Sequence, residues 1–247
     1  MKNNNQAIYI TGIVALAVVI LGSMFIDNFN PTSQDTISAT GDASVQVKPD
    51  VVKVYLTIEE RSNSSATAQD KAEQDYNKLV TSLTSQSFKE EEIQTQYFNI
   101  YPEYDYTNEG TKLKGYVAAH SIVVEFSSNQ TSKIGKVVDA GMDSGAKIAS
   151  INFELSKAKE TEYKAQVLGE AAKSAKVKAE ALAEGAGKKL GNLVSVSENS
   201  FSYYPWVAYS RTEGSMDSGA DVKAQVANIT PGNQVVQASV VAVYKIR

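Results

Sequence analysis

His120 is the only histidine in the chain, and cysteine is absent. A Ser-His-Asp triad or a multi-histidine metal centre would have to be built around that one ring. Thiolate nucleophiles, disulfides and zinc-thiolate sites are excluded together. His120 shares its strand face with Tyr116, Ala118, Ile122, Val124 and Phe126, a pattern that predicts a half-buried, hydrogen-bonded structural histidine. Gly185-Ala186-Gly187 resembles the start of a phosphate loop, but the third glycine position of G-x-G-x-x-G falls on Leu190. The Walker positions fall on Leu182 and Lys189, and the glycines close a helical pattern instead of opening one, so capping accounts for them. Asp217, Ser218 and Asp221 are oxygen ligands of the kind calcium takes, without the regular spacing or terminal Glu of an EF-hand. Glu59 with Glu60, and Glu90 to Glu92, fall at strand or turn ends, where solvated charge is the expectation. No catalytic residue, metal site or cofactor is predicted.

One segment does exceed ordinary composition. FSYYPWVAY, Phe201 to Tyr209, holds the only tryptophan and four other aromatics within nine residues. Aromatic surface of that density either folds back on the domain core or forms a contact for another subunit, a glycan or a lipid headgroup. Phe201, Tyr203, Tyr204, Trp206 and Tyr209 are therefore the candidate interaction surface, with an oligomer contact as the working hypothesis.

The elements that would position these residues follow from hydrophobic periodicity. Alternation from Ile37 to Val47, and again from Val52 to Ile58, predicts two strands across the short Pro49-Asp50 turn, pairing as an antiparallel hairpin. Ala72, Tyr76, Leu79, Val80 and Leu83 switch to helical spacing and predict a helix over about 64–85. Strands near Ile93–Tyr106 and Gly115–Phe126, separated by Gly110, form a second hairpin. A short helix ends near Gly145, and Ile151, Phe153 and Leu155 mark another strand. A long helix over about 158–186 presents Tyr163, Val167, Ala171, Ala175, Ala179, Leu182 and Ala186 as a stripe of mostly small residues suited to close packing. Leu193 to Val196 suggests a strand, 201–232 reads as irregular, and a terminal strand covers about 234–246. The order is ββαββαβαββ, an α+β fold of antiparallel or mixed sheets with helices packed on one side.

Hydrophobic content of 43% and charged content of 21% over 247 residues describe a folding chain. A net charge of -4 with a pI near 5.2 argues against nucleic acid, which requires a concentrated basic face. The lysines between Lys157 and Lys189 are interleaved with Glu160, Glu162, Glu170, Glu180 and Glu184, so their field largely cancels.

Residues 7–26, AIYITGIVALAVVILGSMFI, run for twenty residues without a charge, enough to span about 30 Å of hydrocarbon as one transmembrane helix. This length, with no clear cleavage site, favours an uncleaved anchor over a signal peptide. Lys2 precedes the span and Asp27 follows it, so the positive-inside rule leaves residues 1–6 in the cytoplasm. Residues 27–35 read as a tether and 36–247 as a domain outside the cell membrane. Sequons at Asn63, Asn129 and Asn228 are compatible with export.

With the elements placed, residues 36–246 resemble the SIMPL-domain family. The resemblance rests on GDASVQVKPD from Gly41 to Asp50, Ile93-Gln94-Thr95 leading to IYPEYDY, and Gly115-Tyr116-Val117-Ala118. It continues through Gly145-Ala146-Lys147-Ile148 with the following INF, and through AAKSAKVKAEALAEGAGKKLG from Ala171 to Gly191. The resemblance implies an exported or envelope-associated α+β domain that tends to form homo-oligomers, with no established catalytic residues to carry over. The apolar anchor and the acidic stretch around Glu213 to Asp221 depart from the family pattern. The leading reading is a membrane-anchored, self-associating, non-catalytic binding or scaffold module at the cell envelope. The alternatives are a metal-assisted hydrolase or redox-protective enzyme, and a cleaved, secreted binding protein.

Overall fold

The computed structural model describes residues 35–107, 110–212, 219–226 and 231–247. The proposed span at 7–26, most of the tether, and Asp217 with Ser218 lie outside the described residues. Among those described, no helix is long and apolar enough to cross a membrane.

The chain runs β1 (Thr36–Val47), β2 (Val51–Ser62), α1 (Ser65–Ser85), a 3-10 turn (Glu90–Glu92), β3 (Ile93–Thr107), β4 (Gly110–Ser127), α2 (Ser132–Asp143), β5 (Lys147–Glu154), α3 (Lys157–Gly185), β6 (Leu190–Tyr203), β7 (Trp206–Ser210), α4 (Gly219–Val226) and β8 (Gln234–Ile246). Two sheets form, one of three strands in the order β1-β8-β6 and one of five in the order β3-β4-β2-β5-β7. Every pairing in the five-stranded sheet is antiparallel. In the other sheet the start of β1 meets the end of β8, through Ile246 N–H to the Asp35 carbonyl at 2.9 Å.

The expected hairpin of the first two strands does not form. β1 and β2 enter different sheets, and Asp50 is the reason: its N–H donates to the Glu154 carbonyl (3.1 Å) and its carbonyl accepts from Ser128 N–H (2.9 Å). The Asp50 carboxylate also accepts from Ser156 N–H and Ser156 Oγ, both at 2.7 Å. The turn is thus tied to β4, β5 and the entry to α3, and is not closed on itself. The second hairpin forms as expected, β3 with β4, from Ile93 opposite Val124 to Thr107 opposite Gly110. The stretch predicted as irregular holds structure: β6 continues to Tyr203, β7 adds a strand at the sheet edge, and α4 follows.

The described chain forms two compact units, to both of which β1, α3, β6 and β8 contribute. The larger comprises Asp42–Ala171 and Glu198–Val240, and the smaller comprises residues 35–41, Ala172–Ser197 and Val241–Arg247. In the larger unit, Val52, Val54, Leu56 and Ile58 alternate inward along β2, because successive strand side chains point to opposite faces. They meet Ala68, Ala72, Leu79 and Leu83 of α1, Ile134, Val137 and Val138 of α2, and Val222 of α4. All three helices therefore cover one face of the five-stranded sheet. A second cluster of this unit joins Val167 of α3 to Val47, Leu155, Val236 and Ala238. In the smaller unit, Ala175 and Ala179 pack on Ala39, Ala242 and Tyr244, the close approach that small side chains allow. The buried face continues at Ala183, whereas Leu182 and Ala186, expected in the stripe, are exposed.

Candidate interaction surface

His120 lies in the core face of β4, 7% exposed. Its Nε2 shares a 2.8 Å hydrogen bond with Thr95 Oγ1, and its ring stands 4.5 Å from that of Tyr76 and 5.3 Å from that of Phe98. Desolvation by burial pushes its pKa below the usual histidine value. That hydrogen bond and the two ring contacts place His120 in a structural setting inside the fold.

The carboxylate pairs separate in the same way. Glu59 lies on the sheet face opposite α1, α2 and α4, where Lys147 at 2.8 Å and Arg61 at 3.8 Å reach it. The hydrogen bond from Lys147 holds the Glu59 carboxyl below its ordinary range, against burial. Glu60, its sequence neighbour, points to the other face by strand alternation. Glu92 accepts from Lys89 N–H at 2.8 Å and from Lys133 Nζ at 2.9 Å. Lys133 in turn stands over the rings of Phe88 and Phe126. On the same face as Glu59, Lys53 bridges Glu154 and Glu125 at 3.1 and 3.7 Å. Among the described residues, no three His, Asp or Glu side chains gather as metal ligands.

The glycines after α3 form its cap. Gly187 adopts φ +69°, its N–H donates to the Glu184 carbonyl, and Lys188 N–H donates to the Ala183 carbonyl, each at 2.9 Å. This is the Schellman arrangement that satisfies a helix's last carbonyls.

The five aromatics of Phe201 to Tyr209 divide between inside and outside. Phe201 and Tyr203 pack against the cluster of Val47, Leu155 and Val167. The Tyr203 hydroxyl accepts from Leu155 N–H at 2.7 Å, and burial pushes its pKa up to about 12 despite that bond. Tyr209 is buried opposite Ile151. Trp206 lies against Phe153 with ring centroids 5.4 Å apart, and Tyr204, in the turn between β6 and β7, is 76% exposed. Of the segment's aromatics, Tyr204 and the outer side of Trp206 meet solvent most, beside Val207, which is 50% exposed.

A second aromatic group stands on β3, and the sequence reading missed it. Tyr97, Phe98, Tyr101, Tyr104 and Tyr106 are all exposed, Tyr106 by 79%. The signal is present in the sequence: YFNIYPEYDY packs five aromatics into ten residues. Tyr97 and Tyr101 lie opposite Ser121 and Val117 of β4, on the face that carries Glu59 and Lys53. β3 and β7 are the two outer strands of their sheet, so exposed aromatics mark both of its edges.

The fold and this surface define an α+β domain of two antiparallel sheets, with exposed aromatic side chains at both edges of the five-stranded one. A family model matches residues 37–244, and the chain belongs to that family, SIMPL, described as "Protein of unknown function (DUF541)". The chain is 28% identical over 170 residues to the "Uncharacterized protein YggE" of Escherichia coli K12, covering 68% of each chain. It is 28% identical over 174 residues to the protein of that name from Edwardsiella ictaluri, covering 68% of this chain and 70% of the relative. It is 24% identical over 199 residues to the "26 kDa periplasmic immunogenic protein" of Brucella melitensis, covering 73% and 75%.

Proposed function

We propose that this protein is a non-catalytic, self-associating binding module of the cell envelope, anchored by residues 7–26 with its folded domain on the extracytoplasmic side. The observation that carries the reading is the exposure of Tyr97, Tyr101, Tyr104 and Tyr106 at one edge of the five-stranded sheet, with Tyr204 and Trp206 at the other. Clustered aromatic area of this kind is enriched where proteins meet partners, because large rigid rings gain contact at little entropic cost. The name of the Brucella relative, a periplasmic protein, supports the extracytoplasmic side. The twenty uncharged residues before the domain support the anchor.

Light scattering on the full chain in detergent tests the self-association. A protein mass that is a multiple of 26.6 kDa is expected, and it falls when Tyr204→Ser and Trp206→Ser are combined. A wild-type mass of one protomer at all concentrations overturns the reading. Added protease that spares the domain when any outer membrane has been opened but the cell membrane is intact, and removes it only after the cells are lysed, overturns the location.

A further inference from the structure

β6 is the terminal strand of the order β1-β8-β6, so among the described residues it has a strand neighbour on one side only. From Asn192 to Ser200, nine consecutive residues are exposed, which means that both faces of the strand meet solvent. Leu193 is 51%, Val194 48% and Val196 53% exposed. No proline and no charge occurs from Leu190 to Ser197. The first charge, Glu198, is already engaged by Lys164 at 2.9 Å.

The other outer strands lack this combination. β3 carries Pro102, Glu103 and Asp105, and β7 is five residues long. β1 exposes no large apolar side chain. Proline, charge and shortness are the usual devices that keep a sheet edge from pairing with another chain. β6 has none of them through its first eight residues.

We propose that β6 is the strand through which two copies of this chain join, residues 193–197 pairing antiparallel with the same residues of the second copy about a two-fold axis at Ser195. The proposal rests on the self-association reading above and adds to its aromatic edges a second contact, on the other sheet. In this register Val194 of each copy stands opposite Val196 of the other, Leu193 opposite Ser197, and Ser195 opposite itself. A two-fold contact must be complementary to itself, and this one sets valine against valine twice with no like charges opposed. Glu198 falls opposite Asn192, not opposite its own copy. The strand's unused backbone groups, which a partner of any other sequence would also need to satisfy, are met by an identical uncharged strand.

Because the chain contains no cysteine, an introduced one can form a disulfide only between copies. In full-length protein in detergent, Ser195→Cys is expected to give a covalent dimer on mild oxidation, since directly opposed strand residues lie within the disulfide range of about 4.4–6.8 Å between Cα atoms. Ser38→Cys on β1 is expected to stay uncrosslinked. Val194→Lys with Val196→Lys, both at exposed positions, is expected to lower the scattering mass with an unchanged circular dichroism spectrum. An oligomeric wild type whose Ser195→Cys form does not crosslink, and whose lysine variant keeps its mass, overturns the β6 contact while leaving self-association standing. A mixed disulfide between Ser195→Cys and Ser38→Cys proteins overturns the two-fold register in favour of head-to-tail pairing. A monomeric wild type overturns self-association itself. If the lysine variant loses its circular dichroism signal, the crosslink alone decides.

Discussion

Asp50 joins four parts of the larger unit with one backbone and one carboxylate. Its two backbone bonds reach Glu154 and Ser128, and its carboxylate holds Ser156. Ser156 in turn starts α3, its carbonyl accepting from Glu160 N–H at 2.8 Å. Hydrogen bonds to a charged group contribute about 1.5–3 kcal/mol, so Asp50→Ala is expected to lower stability by that much in urea titration. Ser156→Ala, a milder loss at a helix start, is expected to cost about 1 kcal/mol. The double variant should fall short of the sum, because both changes break the same bond. His120 supports a second expectation. Its pKa is lowered by burial, so the unfolded chain binds the proton more readily than the folded one. Its contribution to stability is then fully present above the unfolded value of about 6.5 and is lost as pH falls below it, toward the folded pKa. Melting temperatures at pH 7.5 and 5.5 should differ less in His120→Gln than in the wild type. Equal differences in the two proteins would show that the ring does not couple folding to protons.

At the scale of elements, α1 ends as α3 does, but with the wrong residue for the purpose. Phe88 N–H donates to the Leu83 carbonyl and Ser87 N–H to the Thr84 carbonyl, both at 3.1 Å, while Ser87 adopts φ +70°. Glycine takes that conformation without steric cost, and any other L residue pays about 1–2 kcal/mol. Ser87→Gly is exposed and is expected to raise stability by up to about 1 kcal/mol once the greater freedom of the unfolded glycine is subtracted. A drop in the urea midpoint would refute this. Elements of this kind were legible from local pattern: α1, α3, the β3–β4 hairpin and β8 all lie where spacing and punctuation place them. What local pattern does not carry is the partner. The alternation of β1 and β2 is the same whether they pair with each other or with strands far away, and the bonds of Asp50 that decide the matter reach residues 78 to 106 positions downstream. β7 and α4 were missed because five residues and eight are too short for periodicity to rise above the surrounding polar sequence. The aromatic surface divides similarly. Density located Phe201 to Tyr209, but only burial against Leu155 and Ile151 separates Tyr203 and Tyr209 from Tyr204.

At the scale of the whole molecule, the two units differ in what holds them. The larger has Phe153, Leu56, Ile58, Leu79, Ile122 and Ile151 fully buried, whereas the cluster of the smaller is built from Ala39, Ala175, Ala179, Ala242 and Tyr244. Burial stabilises by about 25 cal/mol per Å² of apolar surface, and alanine offers little of it. Local opening free energies follow such differences. Hydrogen exchange read by mass spectrometry is therefore expected to label residues 172–185 before the strands 51–62 and 110–127. Uniform labelling would mean that the units open together.

Pro102 gives the outer strand of the aromatic hairpin a character of its own. A strand without that N–H can display rings to a visitor while refusing to be copied into a growing ladder, whereas the stretch after Leu190 has no such brake. Cut free as synthetic peptides, residues 190–203 should thicken into dye-binding fibres on standing, and residues 93–107 should remain a clear solution.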